Sequence, residues 1–276
     1  SFAHIIVIRY IITMICAKLN VSIEIYVIGT LLGALLISAG CVIKLKNTIL
    51  KNGESNLKKE ILITIASFFT IFNFMYIENM YFVEAIVMAL SLLAFIYSAD
   101  FIVNNKGIKN KSIALILAII GVIAYQGTAG FLIIVTFVFS LLKNKVELKG
   151  SKENIKTNIK QILIDLFVAG VCALIGICIN MLIVNIIGDI TGRQQTRVGS
   201  IANIFTNLQY IISNFTSILK DNIGLFPTNL LYIFLSVILI CSLVYDIKTK
   251  SKNFLTIKEI SIIIVSIICG FVVSLG

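Results

Sequence analysis

Long runs of apolar residues, separated by short polar segments, constrain this chain more than any other feature. The runs are long enough to cross about 30 Å of hydrocarbon, and 59% of the residues are hydrophobic while only 13% are charged. A water-soluble domain carries about 25% charged residues and could not bury so much apolar surface. A backbone in lipid must satisfy its own hydrogen bonds, and the runs lack the alternation of strands. We therefore predict an all-α polytopic membrane protein.

The apolar runs predict about eight transmembrane helices, at residues 23–42, 61–77, 82–102, 113–125, 129–142, 162–187, 230–245 and 260–275. Residues 1–20 are also apolar but contain Arg9, which a span would place near mid-bilayer, so we predict an interfacial helix there. Residues 188–229 form a long outer loop. Within it, residues 200–220 show the periodicity of an amphipathic helix lying on the membrane.

The placement of lysines predicts the orientation. Of the 23 Lys and Arg residues, 18 lie in alternate segments, at 44–59, 106–111, 143–160 and 248–258. The positive-inside rule makes these segments cytoplasmic and the segments between them external. The net charge of +10 follows from this topology, and we expect no nucleic-acid partner.

Domain organisation is simple at the sequence level. No repeat or low-complexity tract interrupts the chain, so we predict a single membrane domain over residues 1–276. The sequence begins with Ser1 rather than Met and shows no signal peptide, and we expect a fragment of a longer protein. The six cysteines lie in apolar runs without metal-ligand spacing, and we predict no metal site.

Two carboxylates at an outer helix end are candidate catalytic groups, because charged residues are scarce in the apolar half of the chain. Glu78 and Glu84 lie six residues apart across a short turn, which allows both to point into one cavity. A carboxylate solvated at the membrane interface is the alternative, and we favour it for Glu78. Glu84 lies deeper in apolar sequence, where an ionisable side chain is a functional hypothesis by default.

Two further pairs of residues are candidates for substrate binding. Arg193 and Arg197 lie four residues apart, and their guanidinium groups suit a phosphate at the membrane surface, although a headgroup anchor would use the same residues. Tyr125 and Gln126 offer a ring and an amide that could hold a sugar or lipid headgroup, or could cap a re-entrant turn. Asn180, inside a span, is either an interhelical hydrogen-bonding group or a ligand contact.

Two short segments carry a likeness to a known family. They are residues 81–93, YFVEAIVMALSLL, and residues 123–132, IAYQGTAGFL. They resemble the bacterial Gtr-type glucosyltransferases, known from serotype conversion of O-antigen, in which an acidic residue precedes a methionine-bearing span and a Tyr-Gln pair opens a later helix. By this match Glu84 corresponds to the acidic position, and Tyr125 with Gln126 to the pair.

The resemblance implies a GT-C type fold in the bacterial cytoplasmic membrane, with an active site facing outward. Such enzymes move glucose, or a related sugar, from a polyprenyl-phosphate donor to a surface glycan acceptor, and need no metal or nucleotide because a lipid phosphate is the leaving group. A carboxylate of a preceding outer loop, together with Glu84, would act as general base, and Arg193 and Arg197 would neutralise the charge that develops on the lipid phosphate. These enzymes carry a first span and an acidic outer loop before the interfacial helix, so we expect the main catalytic aspartate to precede Ser1.

Two alternatives stay open. An envelope lipid or polysaccharide transporter, or a flippase, would use Glu84 and the short helices beside Tyr125 as a transport site. No inverted repeat is found, and the long outer loop is more typical of an enzyme with a lipid substrate. A structural membrane subunit is the other alternative, and it predicts that Glu84→Gln has no functional effect.

Overall fold

The computed structural model describes residues 22–51, 57–72, 85–105, 107–144 and 152–191, together with single helical positions at 18, 209, 213, 237, 240 and 244. Within these ranges every regular element is a helix and no strand occurs. The prediction of an all-α protein is confirmed for this part of the chain.

Six α-helices and one 3-10 turn make up the described ranges. They are α1 (Ile23–Lys51), α2 (Leu57–Ile71), α3 (Ala85–Asn104), α4 (Ile108–Ala124), the 3-10 turn Gln126–Thr128, α5 (Ala129–Lys143) and α6 (Lys152–Thr191). Among the described residues, four segments are long and apolar enough to cross a membrane: Glu24–Lys51, Ala85–Asn104, Gln126–Lys143 and Thr157–Ile183.

The prediction of about eight spans is therefore supported in part. Helices α2 and α4 contain 15 and 17 residues, or about 25 Å at most, and are shorter than a bilayer. The predicted spans at 230–245 and 260–275 lie outside the described residues, apart from the helical and exposed positions 237, 240 and 244. The predicted interfacial helix at 1–20 and the outer loop at 188–229 also lie almost wholly outside them.

Two helices extend beyond the limits that hydropathy predicts. Helix α1 continues from residue 42 to Lys51, and α6 begins at Lys152 instead of residue 162. The predicted loops at 44–59 and 143–160 are thus partly helical. Hydropathy marks where side chains leave the hydrocarbon, whereas a helix can continue into the headgroup region because its backbone hydrogen bonds are internal.

Helix α3 is the centre of the bundle and packs against α1, α4 and α5, while α6 covers α4 and α5. Small residues let these backbones approach closely: Ala89 and Ala99 of α3 and Ala114 and Ala118 of α4 are fully buried. Phe95 fills the space between α3 and α4. Close packing of small residues is the usual basis of helix association in lipid, where the hydrophobic effect between helices is absent.

Large apolar side chains cover the outside of the bundle. Leu36 is 74% exposed, Phe69 65% and Phe167 72%. A protein surrounded by water would not leave such residues exposed along several helices. The described helices therefore have the surface of an integral membrane protein.

One end of the bundle is rich in lysine contacts. Lys44 of α1 pairs with Asp100, and the ammonium groups of Lys111 and Lys143 donate hydrogen bonds to carbonyls in the last turn of α3. Cations at the carboxyl end of a helix are favoured by its macrodipole. These three lysines come from alternate segments of the predicted topology and lie at one end, which we call the lysine end.

By its internal packing the chain divides into two compact units. The first comprises Ser1–Val146 and Ser151–Val198, and the second comprises Glu147–Gly150 and Gly199–Gly276. All the helices named above belong to the first unit. The organisation of the whole chain as one membrane domain stays a prediction.

Candidate functional site

The connection between α4 and α5 is the polar turn that the sequence predicts. Tyr125 ends α4 in an extended conformation, with φ −154° and ψ 101°, and its N–H donates to the carbonyl of Gly121 at 2.9 Å. The 3-10 turn Gln126–Thr128 follows, and the Thr128 hydroxyl donates back to the Tyr125 carbonyl at 2.8 Å. The backbone groups released where α4 ends are thus bonded again within four residues.

A buried serine of α3 holds this turn in place. Ser91 is fully buried, and its hydroxyl lies 2.8 Å from the carbonyl of Gly121 and 2.6 Å from the hydroxyl of Thr128. One side chain therefore contacts both the end of α4 and the turn itself. This role could not be predicted from the sequence, because a serine inside a span hydrogen-bonds to the backbone of its own helix as often as to another helix.

Gln126 reaches across to α6. Its Oε1 accepts a hydrogen bond from Nδ2 of Asn180 at 2.8 Å, and Asn180 is only 1% exposed. Of the two roles considered for Asn180, the interhelical hydrogen bond is present. It ties the turn to the helix that covers α4 and α5.

This amide pair leaves the oxygen of one amide and the nitrogen of the other without a hydrogen bond. Within the described ranges, Oδ1 of Asn180 is buried without a partner, and Nε2 of Gln126 forms no hydrogen bond. Turning both amides over would exchange their roles but leave the same pattern of one donor and one acceptor. A hydroxyl-bearing ligand, which can both donate and accept, is complementary to such a pair.

The ring of Tyr125 lies across the turn. Gly127 is exposed, and a Cβ at this position would lie 2.9 Å from Cε1 of Tyr125. A side chain at residue 127 would therefore displace the ring. Tyr125 is half-buried, so it presents an apolar face with a polar tip at the surface of the turn.

The other predicted site residues lie outside the described residues. These are the carboxylates Glu78 and Glu84 and the pair Arg193 and Arg197. Ala85, which follows Glu84 in the chain, begins α3 and is 2% exposed. Since α3 runs from this end to the lysine end, its first turn belongs to the same end of the bundle as the Tyr125 turn.

A second polar cluster lies near the lysine end and was not predicted. Asp165 of α6 is 2% exposed. One of its oxygens accepts from the hydroxyl of Ser140 on α5 at 2.7 Å, and the other accepts from Nε2 of Gln161 at 2.9 Å. The signal was available, because a single acidic residue inside an apolar run is costly in lipid unless it is hydrogen-bonded.

No group of three His, Cys, Asp or Glu side chains in the described part of the chain is placed to hold a metal ion. The polar groups that the structure brings together at the end opposite the lysines are an aromatic ring, two amides and two hydroxyls. Such groups bind neutral, hydroxyl-rich ligands through hydrogen bonds.

The described helices and their polar turn define an α-helical integral membrane protein with a hydrogen-bonding site at one end. The family model described as "Glucosyl transferase GtrII" matches residues 5–276. The chain belongs to this family, which confirms the resemblance drawn from residues 81–93 and 123–132 and supports a glycosyltransferase role. Neither the curated proteins nor the solved structures include a match to the chain.

Proposed function

We propose that the protein transfers a glucosyl residue from a polyprenyl-phosphate donor to a cell-surface glycan on the outer face of the bacterial cytoplasmic membrane. Membership of a glucosyl transferase family supports the reaction. The proposed location of the sugar-binding site rests on the Gln126 and Asn180 amide pair beside Tyr125, at the end of the bundle opposite the lysines. If the lysine end is cytoplasmic, as the positive-inside rule predicts, this pair faces outward.

In the proposed reaction a carboxylate, for which Glu84 is the candidate within this sequence, removes the proton from an acceptor hydroxyl as the oxygen attacks the anomeric carbon of the donor sugar. The bond between that carbon and the lipid phosphate breaks, and the phosphate leaves with the electron pair. Arg193 and Arg197 balance the charge that develops on the leaving phosphate. Glu78, six residues earlier in the chain, is a second candidate carboxylate in this scheme.

The amide pair is proposed to position the sugar. An unused acceptor and an unused donor on neighbouring side chains can bind two adjacent hydroxyl groups of a pyranose ring, while Tyr125 presents its ring beside them. These contacts replace the water that would otherwise hydrate the sugar, and they fix its orientation towards the attacking oxygen. The family match favours this function over the transporter and structural-subunit alternatives.

Alanine variants of the pair test the proposed site. Gln126→Ala and Asn180→Ala should each lower kcat/KM for glucosyl transfer about 3- to 10-fold, the effect of losing one hydrogen bond of about 1 kcal/mol. The double variant should lose less than the product of the two effects, because the residues act as a unit. The matched control is Asn144→Ala, which removes an amide bonded to Ser140 near the lysine end.

Arg197→Ala tests the phosphate role separately. It should abolish most transfer while the protein remains folded and monodisperse. Unchanged turnover in this variant would refute the phosphate role, and a loss of transfer in Asn144→Ala equal to that in Gln126→Ala would refute the proposed sugar site.

A further inference from the structure

Helices α4 and α6 touch closely at one level and leave a groove between them on the side of the lysine end. At Gly176 of α6 a Cβ would lie 2.9 Å from Cγ2 of Val122 on α4, so the helices are in direct contact there. Between this contact and the lysine end, the groove is lined by Ile108 and Leu115 of α4 and by Phe167 and Ile175 of α6.

The groove opens to the surface that the bundle presents to lipid. Phe167 is 72% exposed and Ile108 is 87% exposed. From Ile108 to Leu115 the groove follows α4 for about 10 Å, and from Phe167 to Ile175 it follows α6 for about 12 Å. One leaflet contributes about 15 Å of hydrocarbon, half the thickness of the core. The groove therefore has the length of a large part of one acyl chain and ends where the two helices meet.

A positive charge lies at the open, lysine end of this groove. Lys111 lines it, is partly exposed, and donates to the carbonyl of Ile102. In the part of the chain that the structure describes, no carboxylate forms an ion pair with Lys111. The first turn of α4 contains no acidic residue, and Lys109 adds a second, exposed lysine there.

We propose that this groove binds one acyl chain of an anionic phospholipid, whose headgroup phosphate is held by Lys111 with Lys109. The apolar lining takes the chain, and the two lysines select the charge of the headgroup. An ammonium group already fixed on the Ile102 carbonyl retains further N–H donors for a phosphate oxygen, and each lysine near a membrane surface contributes about 1 kcal/mol of attraction to anionic lipid. The site lies at the opposite end from the Tyr125 turn, so it is independent of the proposed glucosyl transfer.

Photocrosslinking locates the lipid. The purified full chain is reconstituted with phosphatidylglycerol or phosphatidylcholine carrying a photoreactive group on one acyl chain, and adducts are mapped by mass spectrometry. With phosphatidylglycerol we expect adducts on the α4 peptide that contains Leu115 and on the α6 peptide that contains Val171. The fraction of phosphatidylglycerol that gives half of the maximal crosslinking should rise about 5-fold in Lys111→Met. The matched control, Lys59→Met, removes an exposed lysine of α2 and should leave that fraction unchanged.

A second variant tests the groove itself. Val171 lines the groove and is 37% exposed, so Val171→Trp fills it from the lipid side without disturbing the buried core. This variant should lose the adducts while it remains monodisperse. Equal crosslinking by phosphatidylcholine, an equal effect of Lys59→Met, or displacement of the lipid by polyprenyl phosphate would overturn the proposal.

Discussion

Replacing Gly121 with alanine tests how α3 and α4 are held together beneath the polar turn. A Cβ at this position would lie 2.6 Å from Cε1 of Phe95 and 2.9 Å from two further ring atoms, whereas carbon atoms in favourable contact lie about 3.5–4.0 Å apart. Phe95 is fully buried, so its ring cannot swing out of the bundle to make room. Either the ring or α4 must shift.

Two opposing effects determine how much stability Gly121→Ala loses. Inserting a methyl group into a packed core costs about 1–3 kcal/mol, and alanine recovers up to about 1 kcal/mol over glycine in a helix. The approach to Phe95 is as short as 2.6 Å, so the packing cost should lie in the upper part of its range, about 2–3 kcal/mol, and the net loss of stability should be about 1–2 kcal/mol. The Gly121 carbonyl also accepts hydrogen bonds from Tyr125 and Ser91, so a shift of α4 moves the turn, and glucosyl transfer should fall as well.

Gly170→Ala is the matched control for this substitution. Gly170 lies in α6, and a Cβ there would have no atom within 4 Å. Heating the two variants in detergent and measuring the monodisperse fraction by size-exclusion chromatography gives their apparent Tm values. Gly121→Ala should have the lower Tm, and Gly170→Ala should match or exceed the parent protein. Equal Tm values for the two variants would refute the close contact of α3 and α4.

Three further substitutions probe the other polar contacts by the same assay. Asp165→Ala should lower the free energy of unfolding by about 1–3 kcal/mol, because it removes the acceptor of two hydrogen bonds, one of them from a buried hydroxyl. A Tm equal to that of the parent protein would show that the cluster is dispensable. Lys44→Ala should destabilise more than Lys46→Ala, since the partner Asp100 is 15% exposed and the partner Glu60 is 45% exposed. Exposed pairs are worth under about 1 kcal/mol, and the reverse order of Tm values would contradict this ranking.

Local features of the sequence predict the helices and the turn. The observed helix α3, Ala85–Asn104, lies within three residues of the predicted span at each end, and α4 ends one residue before the predicted limit. The turn at Tyr125 was predictable because polar residues and glycine interrupt an apolar run. Hydropathy also located the apolar part of α1, but it could not show that the helix continues to Lys51.

Contacts between helices could not be predicted in this way. Gln126 and Asn180 lie 54 residues apart in sequence, and Ser91 and Thr128 lie 37 apart. Which faces of two apolar helices meet depends on the fit of small residues such as Gly121, and not on hydrophobic periodicity, because every face in lipid is apolar. The family resemblance identified Tyr125 and Gln126 as candidate site residues. The contacts that these residues make with other helices could be seen only in the structure.

Glucosyl transfer in oriented proteoliposomes tests the central claim most directly. The protein, expressed from its natural gene, is reconstituted with polyprenyl-phosphate glucose labelled in the sugar, and envelope glycan is added to the exterior. The accessible face is established by labelling a cysteine placed at the exposed Ser22, before α1, or at Lys109 with a membrane-impermeant reagent. We expect label to enter the glycan when the Ser22 end faces outward, and Gln126→Ala to reduce this transfer. Label that remains on the lipid, or that moves to glycan only when the Lys109 end faces outward, would contradict the proposed function.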